Sequence, residues 1–167
     1  AIVDAMTVCK RLGLTSKSRQ RDRRPSLDEM DRIMAHFTEV KHRRPSSNPM
    51  AAIVAFALFS TRRQEEITRI RWADLDEVGS RILVRDMKNP GEKIGNDAWC
   101  DLPAPALRII QAMPRNAPEI FPFGTDAIGA AFTRAAALLG IEDLHFHDLR
   151  HDGVSRLFEM GLNIPHV

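Results

Sequence analysis

Tyrosine is absent from this chain, only two of its 167 residues are cysteine, and aromatic residues make up 6%. The missing phenol removes one nucleophile and one acid from the chemistry these residues can perform. Cys9 and Cys100 stand far apart with no CxxC partner, which excludes a disulfide framework and a thiolate zinc site. No apolar run reaches the length of a membrane span; the longest, Met50 to Phe59, suits a buried helix. Ala1 to Leu14 has no charged segment followed by an apolar stretch, so no signal peptide and no membrane partner are expected, and a reducing cytoplasm is the expected compartment. A formal charge of +2 is too small to identify a polyanionic partner by itself.

What is present is distributed unevenly. A hydrophobic content of 44% is enough for one domain with its own core. The basic residues cluster. Lys10, Arg11, Lys17, Arg19, Arg21, Arg23 and Arg24 face the single acid Asp22, and a second knot follows at Lys41-His42-Arg43-Arg44. Such segments attract a polyanion and steer it inward, although a run of this kind also suits a solvated lead-in. Thr15 to Arg24 has no apolar face. Residues 1–24 are therefore expected to be a basic linker trailing a preceding domain, with the domain proper at 25–167.

Ser26 followed by Glu29 is a capping-box pattern, and Leu27, Met30, Ile33, Met34 and Phe37 form an apolar stripe at helical spacing. Pro45 to Pro49 breaks the chain. Met50 to Ser60 is apolar nearly all round, as in a central core helix, and Glu65 to Trp72 is expected to form a further short helix. Arg81 to Arg85 and Trp99 to Leu102 are strand-like, and with Leu75 to Val78 they predict a small antiparallel sheet. Helices are expected from Pro103 through Met113, from Thr125 to Leu139 before Gly140, and from Phe146 to Met160 before Gly161. The class is α+β and mostly helical, with a three-stranded antiparallel sheet.

Three places carry chemistry. Arg63 follows the buried helix where another restarts; its forked guanidinium matches a pair of phosphate oxygens, and Glu66, one turn on, is placed to orient it. An Arg-x-x-Glu spacing alone also describes an ordinary surface pair. His147 and Arg150 share a helix face near a helix N-terminus, where both can converge on one phosphate, and His151 can reach the same place. Asp148 and Leu149 point elsewhere, Leu149 into the core. Lys88 lies at a hairpin tip, with Lys93 on the same turn as its rival.

Together, a buried helix, Arg63-x-x-Glu66-Ile67, Arg71-Trp72-x-Asp74-Leu75, a hairpin with Lys88 and His147-Asp-Leu-Arg150-His151 resemble the catalytic domain of the tyrosine recombinase (phage integrase) family. The resemblance covers Pro25 to Val167. It implies site-specific recombination of double-stranded DNA without metal or nucleotide cofactor. Arg63 and Arg150 would clamp the scissile phosphate and His147 would bond to it or move its proton. Lys88 would protonate the leaving oxygen, with Glu66 and His151 in support. The attacking tyrosine of the family, and the His or Trp before it, have no counterpart here. The expectation is thus an integrase catalytic domain cut short before its nucleophile, itself unable to cleave or join DNA. The basic residues up to Arg24, with Lys93, would lie near the DNA backbone. The family's tetramers on DNA imply a tetrameric parent, while the chain itself is expected to be largely monomeric.

Three alternatives compete. A non-catalytic DNA-binding remnant would keep the clamp. A metal-dependent hydrolase is suggested by His145, His147 and His151 beside Asp148, though without an HExxH glutamate. A type IB topoisomerase shares the phosphate-clamp chemistry.

Overall fold

The computed structural model describes residues 23–87, 95–159 and 161. Six helices and a three-stranded sheet are found among them. Helix α1 (Leu27–Arg43) opens with both halves of the capping box: the Ser26 hydroxyl accepts the Glu29 N–H at 3.1 Å, and the Glu29 carboxylate accepts the Ser26 N–H at 2.8 Å. Its stripe buries Met30, Ile33 and Phe37, while Leu27, at the first helical position, is left exposed at 68%. The expected stripe is therefore one residue shorter.

Helix α2 (Met50–Ser60) is the centre of the domain. Ile53, Val54, Phe56 and Ala57 are essentially inaccessible, and the helix packs against α1, α4 (Ala104–Gln111) and α6 (Asp148–Glu159). A helix apolar on all sides needs neighbours on most of them, and here only Phe59 is left exposed among its large apolar residues. The Phe56 ring meets Phe121 at 5.1 Å.

The helix expected over Glu65 to Trp72 is a single turn, α3 (Gln64–Ile67), followed by a 3-10 turn at Trp72–Asp74. Backbone pairing explains the early stop. Ile120 donates its N–H to the Ile70 carbonyl and Trp72 donates to Pro118, so these groups serve an extended bridge instead of a helical ladder. The sheet runs β1 (Leu75–Asp76), β2 (Arg81–Val84), β3 (Ala98–Asp101), all antiparallel, with Ile82 opposite Cys100 and Leu83 opposite Trp99. The first strand is shorter than expected because Val78 lies fully exposed in the turn. Ile82 and Val84 face the core, and the alternate positions face out.

Helix α5 (Thr125–Leu138) ends before Gly140, whose φ of +65° is the left-handed geometry expected of a helix stop. Helix α6 starts two residues later than the apolar pattern suggests. Asp148, Leu149 and Arg150 donate to His145, Phe146 and His147 respectively, a tight i→i+3 entry that leaves Phe146 and His147 in the turn before the helix. No helix among the described residues is long and apolar enough to cross a membrane.

Candidate functional site

The site forms where α2 ends and α6 begins. At the end of α2, Thr61 adopts φ 55°, a left-handed conformation uncommon for a β-branched residue. It turns the chain sharply, so that Arg62 and Arg63 leave the helix together. The Ser60 hydroxyl is occupied by the Phe56 carbonyl at 2.6 Å.

Glu66 then fixes Arg63. One carboxylate oxygen accepts the Arg63 backbone N–H at 3.0 Å, and the other accepts Nη1 at 2.8 Å. The carboxylate is 2% exposed, whereas the arginine side chain keeps about a third of its surface open at 34%. Glu66 thus holds Arg63 by both its backbone and its guanidinium, and part of the guanidinium stays open to solvent.

From the other side, the turn into α6 delivers His147, and the first turn of α6 delivers Arg150 and His151. Leu149 is wholly buried, and Phe146 packs edge-on against Phe132 at 5.6 Å, so the apolar positions on either side of His147 dictate where it faces. The buried Asp148 accepts the His145 N–H at 2.8 Å, bracing the turn that leads into the helix. Gly153 permits the closest approach: a Cβ there would lie 2.2 Å from the Leu58 carbonyl oxygen. Arg150 reaches across and donates from Nη1 to the Thr61 carbonyl. Arg62 completes the cluster. It donates from Nε to the Ser60 carbonyl at 3.0 Å and from Nη1 to the Cys100 sulfur at 3.0 Å.

Positive charge is crowded and partly dehydrated here. Burial holds the Arg150 guanidinium below its ordinary range, with Arg63 and then Arg62 adding repulsion. His147 is likewise lowered, first by burial, then by His151, Arg150 and Arg63, while Asp148 opposes the change. Its ring meets His151 edge-on at 4.8 Å. Burial also pushes the Cys100 thiol up, so it stays protonated beside Arg62.

The structure brings together Arg63, Glu66, His147, Arg150 and His151. Lys88 and Lys93 fall in sequence between β2 and β3 and lie outside the described residues, as do Lys10, Arg11, Lys17, Arg19 and Arg21. Arg23 and Arg24, counted with the linker, are bound to the domain: Arg23 to Glu29 at 2.6 Å, Arg24 to Asp152 at 3.0 Å and to Glu159 at 2.8 Å. Sequence reasoning missed Arg62, Cys100 and the Thr61 carbonyl. Adjacency to Arg63 was a signal for Arg62; nothing local marks Cys100, which arrives from β3. Of the histidines proposed as metal ligands, His145 lies 3.6 Å from Asp143. Among the described residues, no three His, Cys, Asp or Glu side chains converge as a metal site.

Helices around an apolar α2, a three-stranded sheet inserted between them, and an arginine–histidine site at the α2–α6 junction define a class: the fold is the catalytic-domain fold of tyrosine recombinases and integrases. The chain is a relative of site-specific DNA recombinases. It is 33% identical over 149 residues to the shufflon-specific DNA recombinase of Escherichia coli, a match covering 88% of this chain and 36% of that protein. The chain therefore spans about a third of the length of this curated relative. XerA recombinase superposes with a TM-score of 0.61 at 20% identity, over 93% of this chain and 56% of the other. The Tn1549 transposon integrase in complex with transposon right end DNA gives 0.67 at 14%, over 91% and 58%. A lambda integrase tetramer bound to a Holliday junction gives 0.65 at 16%, over 97% and 53%. No family model matches the chain.

Proposed function

We propose that the chain is the phosphate-binding part of the catalytic domain of a site-specific recombinase acting on double-stranded DNA. The observation that carries this reading is the convergence of Arg62, Arg63, Arg150 and His147 around one site, with Glu66 already engaged by Arg63. Like charges packed together and partly dehydrated are costly in the free protein, and an anion between them relieves that cost.

In this reading Arg63 and Arg150 hold the two non-bridging oxygens of the scissile phosphate. As the phosphorus becomes five-coordinate, negative charge concentrates on those oxygens, and guanidinium donors already in place stabilise that state more than the ground state. His147, neutral at pH 7, donates a hydrogen bond to the phosphate or shuttles its proton. His151 supports His147, and Glu66 orients Arg63. Lys88 supplies the proton to the departing 5′ oxygen. The 3′-phosphotyrosine link expected of such an enzyme stores the phosphoester energy, so neither metal nor nucleotide is required. The chain contains no tyrosine, so the attacking phenol comes from outside these 167 residues; without it, the same clamp binds DNA and does not cut it. The parent works in the cytoplasm as a tetramer on DNA, in keeping with the lambda integrase tetramer bound to a Holliday junction, and the isolated chain is monomeric.

Duplex binding tests the proposal. Fluorescence anisotropy with a short labelled duplex is expected to show weak binding with little sequence preference and a steep loss of affinity with salt. Arg63→Ala and Arg150→Ala each weaken it. Affinity unchanged in both variants would overturn the reading.

A further inference from the structure

Asp152 is a fully buried carboxylate that the phosphate site does not use. It has two guanidinium partners: Arg156 at 2.7 Å and Arg24 at 3.0 Å. They do different things. Arg156 is one turn on along the same helix, so it neutralises the carboxylate without tying α6 to anything else. Arg24 comes from 128 residues earlier in the chain. It also reaches Glu159, so a single guanidinium spans Asp152 and Glu159 on α6, seven positions or about two turns apart. Beside it, Arg23 bonds both carboxylate oxygens of Glu29, at 2.6 and 3.1 Å, and the Glu142 carbonyl at 3.3 Å. The dipeptide therefore ties the start of α1, the turn before His147 and α6 to one another.

We propose that Arg24 and Asp152 are positioning residues of the phosphate site: the Arg24 strap sets the rotation of α6 about its own axis, and hence the aim of Arg150 and His147. Gly153 decides how closely α6 approaches α2, since only a hydrogen fits against Leu58. It does not stop the helix turning. A rotation of ~10° moves a group ~6 Å from the helix axis by ~1 Å, and a misplacement of that size can matter greatly to a bidentate phosphate contact. A buried carboxylate is costly to leave partly paired, which gives the strap its stiffness. Arg23 and Arg24, placed with the DNA-contacting linker by the sequence, thus serve the site from behind. The consequence for DNA rests on the recombinase reading, but the positioning itself does not.

The test is read without DNA, because an arginine that also touched DNA would confuse the result. Histidine NMR titration follows His147, assigned with His147→Gln. The groups facing it are His151, Arg150, Arg63 and Asp148. In Arg24→Ala the His147 midpoint is expected to rise toward the ordinary imidazole value, as its spacing from Arg63 opens and burial slackens, and sulfate affinity is expected to fall several-fold. A titration that superimposes on that of the unaltered chain would overturn the proposal, even if thermal stability drops. Where Arg24→Ala does not fold, the exposed Glu159→Gln decides, with a smaller rise expected and superposition again counting against the strap. Failure of the unaltered chain to bind sulfate or duplex DNA would overturn the recombinase reading and leave the His147 result standing.

Discussion

Arg150 donates its Nη1 hydrogen bond to the backbone carbonyl of Thr61, 89 residues earlier in the chain. That contact joins the start of α6 to the left-handed turn that releases Arg63. Arg63 and Arg150 therefore belong to one structural unit, held together by a backbone acceptor that cannot titrate.

If Arg63 and Arg150 share one phosphate, their effects on DNA affinity are not additive. Each single alanine variant is expected to lose on the order of 1–3 kcal/mol of binding, and the double variant clearly less than the sum. A double-mutant cycle by anisotropy measures this; full additivity would mean separate contacts.

Sulfate is expected to raise the melting temperature more than sodium chloride at equal ionic strength. At ten times its dissociation constant, a ligand bound only by the folded state stabilises it by ~1.4 kcal/mol. Differential scanning calorimetry of Arg150→Ala should show the sulfate-specific increment gone.

The pH dependence follows from His147, whose folded value lies below the ordinary 6.5. Between the folded and unfolded values the unfolded chain carries more protons. This contribution to stability is therefore present above about pH 6.5 and is lost as pH falls through that value toward the folded one, levelling off below it. A bound phosphate has the opposite effect on the imidazole, favouring its charged form. Anion affinity should therefore rise between about pH 7.5 and 6. His147→Gln is expected to flatten both profiles, measured by thermal melts and by calorimetric titration.

Glu66→Gln keeps the shape of the side chain but removes the charge that holds Arg63. The expected cost is ~1–2 kcal/mol of stability, below that of breaking a fully buried pair because Arg63 is partly open to solvent, together with weaker DNA binding. Gly153→Ala should cost ~1–3 kcal/mol through overpacking against Leu58, measured by chemical denaturation. It should also lower sulfate affinity by pushing α6 away; stability lost with sulfate affinity intact would show that α6 can retreat without opening the clamp.

Much of this protein is determined locally. The apolar Met50–Ser60 run, the Ser26–Glu29 capping box and the alternation along Ile82 to Val84 each specify an element through short-range propensity and burial, and the structure has each one. The His-x-x-Arg-His spacing and the Arg63–Glu66 pair were legible for the same reason: partners three or four residues apart on one turn meet whatever the rest of the chain does. Other features required the folded chain. Whether the helix would run on to residue 72 was settled by the Pro118–Ile120 segment, which takes the Ile70 carbonyl and the Trp72 N–H. Cys100 under Arg62, the Thr61 carbonyl under Arg150 and Arg24 across α6 join positions 38, 89 and 128 residues apart. Sequence periodicity carries no information at such distances, because these contacts exist only once the core around α2 has fixed the helices in place.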